Sequence, residues 1–167
     1  MPIIAPNPFP AEHLAHAIYD ALTAKRVGDA PLLPKRVYDT ALVVPIRDLS
    51  RAGAASDNVA ALLHLLNDDL DAAHILCQGH EDDPTANYIH QIVHRREGDW
   101  GNTRYWVGKT GAHPYYADLA PLAAKLSLPA WDANAMVAAA ARGEHYAAGV
   151  SDAETQGLLT WCVTNGR

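Results

Sequence analysis

The chain has 167 residues, 49% hydrophobic and 19% charged, which suits one globular domain over residues 1–167 and argues against wholesale disorder. Its formal net charge of −6 weighs against nucleic-acid binding through a basic surface. No apolar run approaches the ~18 residues of a membrane span, so the expectation is a soluble, cytoplasmic protein that uses neither nucleic acid nor membrane as a partner.

The opening MPIIAPNPFPAEH is proline-rich and should run extended. It lacks a basic segment followed by a long apolar core, so it does not read as a signal peptide. From Ala11 to about Lys25, Leu14, Ala17, Ile18, Ala21 and Leu22 recur at helical spacing, and Pro31 and Pro34 then interrupt the chain. The Val-rich middle of Arg36–Arg51 suits a strand, but Pro45 and the lack of any strand partner favour short helices. Ser56 or Asp57 is placed to cap a helix over Asn58–Asn67, whose stripe is Val59, Leu62, Leu63 and Leu66. Asp68-Asp69 predicts a turn, followed by a helix over Leu70–Gly79.

The most legible stretch is Thr85 to Pro114. A helical pattern from Thr85 to Glu97 breaks at Gly98-Asp99, and a second runs from Trp100 to about Thr110. Gly111 supplies a stop and His113-Pro114 closes the unit, which makes an αα-hairpin. Further helices are expected over Tyr115–Leu126 and Trp131–Arg142, and from a cap at Ser151 to about Val163. No alternating segment is long enough for a strand, so the fold class is all-α, with seven to nine helices. Cys77 and Cys162 are far apart, lack CxxC spacing and read as reduced, buried thiols.

Shifting 58–84 forward by thirty residues lays it on 88–114: Asp69 falls on Asp99, Pro84 on Pro114 and His64 on His94, and the apolar stripes coincide. Both histidines then stand ~150° from the centre of their helix's stripe, at equivalent places that should face a common side. The second copy, with Gly98-Asp99-Trp100 at its turn and a closing proline, resembles a tetratricopeptide (TPR)-like unit. The expectation is stacked αα-hairpins over 57–84 and 85–114, with additional N- and C-terminal helices.

A second resemblance rests on His90-x3-His94-Arg95-Arg96-Glu97-Gly98-Asp99-x2-Asn102-x2-Tyr105-Trp106, followed by Gly111-x-His113-Pro114. This run resembles a family of bacterial and fungal proteins, in which the preceding helix pair also matches Asp69, His74 and Gln78. The family pattern continues after Tyr-Trp with an aromatic and two arginines, where this chain has Val107-Gly108-Lys109. The resemblance implies no activity.

His90, His94 and Glu97 stand at i, i+4 and i+7, within about 60° of one another on one helix face. Two imidazoles so spaced and a carboxylate make a partial Zn or Fe site, with His64, His74 and His113 as candidates for a further ligand from neighbouring helices. The same spacing also suits ordinary hydrogen-bonded histidines. Arg96 projects from the centre of the stripe Ile89, Ile92 and Val93, so it needs an acceptor: Asp69, Asp99 or a carboxylate of the C-terminal helices, or an anionic ligand. Arg95 lies off the stripe and is expected to be solvated. Tyr105 and Trp106 fall on different sides of the second helix and suit either core packing or a ligand groove.

Three functions fit this pattern. One is a pocket of His64, His74, His90, His94, Arg96 and Glu97 that binds a small molecule or a divalent metal, with His/Glu acid–base chemistry if it is an enzyme. The second is a repeat module for a protein partner, and the third is a purely structural helical domain. Self-association into a homo-oligomer stays open.

Overall fold

Short polar side chains start most of the helices. In the computed structural model, which describes residues 5–24 and 30–166, Ser56 accepts from the Val59 amide at 3.2 Å and Asp69 from Ala72 at 3.2 Å. Asp83 accepts from Thr85 at 2.9 Å and Asp99 from Asn102 at 3.0 Å. Each cap satisfies an amide that the first helical turn cannot.

The helices that result are α1 (Leu14–Ala24), α2 (Val43–Arg51), α3 (Asp57–Leu66), α4 (Leu70–Cys77), α5 (Pro84–Glu97), α6 (Trp100–Thr110), α7 (Ala120–Lys125), α8 (Ala133–Ala141) and α9 (Ala147–Asn165). Short 3-10 segments at Thr40–Leu42 and Pro114–Leu119 lead into α2 and α7. The described residues are all-helical, with no strand among them, and Arg36–Arg51 ends as a helix despite its valines. The expected end of the first helix at Lys25 lies outside the described residues. Among the described residues no helix is long and apolar enough to cross a membrane.

Two boundaries differ most from expectation. The segment expected as one helix from Tyr115 splits, because Pro121 is tolerated only in a first turn; the α-helix proper therefore begins at Ala120. The last helix begins at Ala147, so Ser151 lies inside α9 and does not cap it. Ala147 and Val150 are buried, so this extra turn is held by the core rather than by a cap.

Helices α3 and α5 form the interior. Every residue from Asn58 to Leu66 and from Thr85 to Arg96 is buried. Helix α3 packs on α2, α4, α5 and α9, and α5 packs on α3, α4 and α6. The segment before α1 is tied across the middle of α9: the Ala5 amide donates to Gln156, and Tyr19 donates to the Ala5 carbonyl at 3.0 Å. Cys77 and Cys162 are both buried.

The thirty-residue recurrence is visible in the turns themselves. Asp68 and Gly98 both take positive φ, 58° and 80°. The next amide, of Asp69 or Asp99, reaches back to the carbonyl of His64 or His94, at 2.9 and 3.0 Å. One turn later, Thr85 donates its amide to Asp83, as Tyr115 does to His113 Nδ1 at 3.2 Å. Asp68 bears the cost of a left-handed backbone that Gly98 adopts freely.

A candidate metal centre on the central helix

Three imidazoles meet where α4 crosses α5. His90 and His94 lie one turn apart on α5, and His74 projects from α4, so ring nitrogens of all three lie within 4.8 Å of one another. His74 Nε2 and His90 Nε2 are 2.8 Å apart, one donating and the other accepting. The rings pack against one another. His90 is sandwiched between Trp106, whose ring centre is 3.7 Å away at 19°, and His94, at 4.9 Å and 21°. His74 stands edge-on to both, at 4.6 and 5.2 Å.

The surroundings keep His90 neutral. Burial first, then the neighbouring His74 and His94, push its pKa down to about 3, so the ring presents lone pairs at ordinary pH. Its Nδ1 is buried without a protein partner. His94 is oriented from outside, with its Nδ1 2.8 Å from Glu97 Oε2, which leaves Nε2 for the cluster. A carboxylate on the far nitrogen of an imidazole fixes the tautomer and orientation of a metal-ligating histidine. Glu97 therefore stands behind His94, in an outer position, and His74 is the third nitrogen donor.

The other expected residues lie elsewhere. His64 holds the backbone place that matches His94, but it is buried against Asp69, with Nδ1–Oδ2 at 3.2 Å, and it is not among the three converging rings. Burial lowers its pKa, and Asp69 opposes that shift. His113 sits beneath Tyr88 and Trp161, with Nε2 3.1 Å from Thr85 Oγ1. Tyr105 is 56% exposed, its ring edge-on to Trp106.

Arg96 is buried as its place on the stripe requires, but Asp68 and the carbonyls of Leu65 and Pro31 receive it, not Asp69 or Asp99. Those two aspartates are committed to capping α4 and α6. The expectation of a solvated Arg95 is overturned. Arg95 is fully buried and pairs with Glu154 and Ser151 of α9, because α5 is covered on every side and has no solvent face. Glu154 also accepts from the Tyr88 hydroxyl at 2.7 Å. Compared with protein-family models, curated proteins and solved structures, the chain gives no match.

Proposed function

We propose that the protein binds one divalent transition-metal ion through His74, His90 and His94, with Glu97 orienting His94. The observation that carries this reading is the convergence of three imidazoles, two of them on one helix turn, within 4.8 Å. A tetrahedral zinc site holds its nitrogen ligands roughly 3.3 Å apart, so side-chain rotations that move the nitrogens by roughly 1–2 Å bring the set into register. Three imidazoles without a carboxylate suit Zn better than Fe, whose common non-haem set includes a carboxylate. Elemental analysis of purified protein and calorimetric titration of chelator-stripped protein test the reading. About one equivalent of Zn is expected, lost in His74→Ala and in the His90→Ala/His94→Ala double variant. Failure to retain a stoichiometric metal, with melting unaffected by EDTA or added Zn, sinks it.

A second reading draws on a different observation. The matched turns at Asp68-Asp69 and Gly98-Asp99 support hairpins stacked in TPR fashion, and Ile75 and Tyr105 are 67% and 56% exposed on the outer helices of the two pairs. Such apolar side chains suit a protein partner or a second copy of the chain. Light scattering of wild type against Ile75→Asp separates this reading: self-association lost in the variant with Zn binding intact favours it, and monomeric wild type removes the homo-oligomer.

A further inference from the structure

We infer that the metal bound here keeps a coordination position open, filled by an exchangeable water, and serves as a Lewis-acid centre for a small neutral carbonyl substrate rather than as a structural clamp. The inference rests on the metal-binding reading above and deepens it.

Structural zinc sites are closed by four protein ligands, whereas reactive ones have three and a water. Three donors converge here, and the neighbouring candidates for a fourth have other work. Glu97 holds His94 Nδ1, Asp69 caps α4 beside His64, and Asp99 caps α6. The Cys77 thiol, one turn beyond His74, donates to the His74 carbonyl at 3.4 Å. That thiol is not among the converging donors.

His90 and His94 are buried and Trp106 covers His90, so the partly exposed His74 is the ligand that an incoming molecule meets first.

The charge pattern narrows the substrate. Three neutral imidazoles leave the full +2 of the ion to polarise a bound oxygen. Arg95 and Arg96, next in the chain after His94, are turned into buried pairs with Glu154 and Asp68, so neither guanidinium is presented to an anionic substrate. Hydrolysis of a neutral ester fits. The bound water releases a proton to solvent, and its oxygen bonds to the carbonyl carbon. The bond from that carbon to the alkoxide breaks, and the alkoxide takes up a proton. One water is consumed and no redox partner is needed.

Cobalt(II) loaded into the stripped full-length protein tests the inference through its visible spectrum, titrated with azide. One equivalent of Co with bands that shift saturably on adding azide is the expected result. One equivalent with a spectrum indifferent to azide overturns the open position and leaves metal binding standing. No stoichiometric Co or Zn overturns both. Zn-loaded protein should hydrolyse 4-nitrophenyl acetate at least tenfold faster than the stripped protein and the His74→Ala variant. Equal rates, with the azide shift present, remove the ester substrate and keep the open site.

Discussion

Helix α5 buries ionisable groups in two different ways. Toward α9 and toward the turn before α4 it sends guanidiniums, Arg95 and Arg96, and each finds a buried carboxylate, Glu154 or Asp68. Toward α4 and α6 it sends His90 and His94, and among the described residues His90 meets two imidazoles and an indole instead of a carboxylate. An arginine cannot surrender its proton, so its burial demands a counter-charge in place. An imidazole can, and His90 does so, its pKa pushed down to about 3. The first arrangement fixes helices to one another; the second leaves neutral lone pairs close together, which is what metal ligation requires.

Breaking the ionic side should have the largest effect. Arg95→Met strands the Glu154 carboxylate in the core beside Tyr88, at a cost of about 3–5 kcal/mol in urea unfolding. Arg95→Met/Glu154→Leu should recover most of that loss, because a well-packed apolar pair can replace a buried ion pair. A single variant within 1 kcal/mol of wild type, on the scale of an exposed pair, would contradict the burial argument.

The imidazole side should respond to metal. At a hundredfold excess of free Zn over Kd, the native state gains ~2.7 kcal/mol, seen as a raised Tm. His74→Ala should abolish the rise while changing the metal-free Tm little, since His74 is partly exposed. A rise that persists in His74→Ala would place the metal elsewhere.

The two faces also differed in how far the sequence revealed them. His90 and His94 were legible because i, i+4 spacing is local geometry. The turns at Asp68-Asp69 and Gly98-Asp99 were legible because cap residues and left-handed glycine are local chemistry as well. Arg96 declared its need for an acceptor through its place on the stripe, but Asp68 was not the expected partner. Arg95 escapes a helical wheel, which assumes one wet face, because its partner Glu154 lies 59 residues away in α9. His74 stood between these cases: its residue type suggested a ligand, but only the crossing of α4 on α5 sets its distance.

Acid should separate the faces further. His90 has a folded pKa below its ordinary value of 6.5, so its neutral form favours the native state. That contribution is complete above pH 6.5 and is lost as pH falls toward about 3, with a slope of at most ~1.4 kcal/mol per pH unit for one group. Metal-free wild type should therefore lose stability between pH 6.5 and 4. His90→Gln should show a shallower slope, the remainder coming from His64, whose pKa is also lowered. Equal slopes would mean that His90 is already protonated in the native state.

The smallest effect compares the two matched turns. Asp69 and Asp99 cap their helices in the same way, but Asp69 also stands 3.2 Å from buried His64, while Asp99 is exposed and turns its second oxygen to the Asn102 amide at 2.8 Å. The amides of Asn102 hold the Asp99 carboxyl below its ordinary range. Asp69→Ala should cost a cap, ~1 kcal/mol, plus the loss of the His64 partner. Asp99→Ala should cost less, because water replaces what the carboxylate offered. Its loss should also vanish in strong acid, below the ordinary carboxylate range, whereas the His90 effect begins near pH 6.5. If the two alanine variants melt together across pH, the turns are equivalent in energy as well as in backbone, and the His64–Asp69 contact adds nothing to the fold.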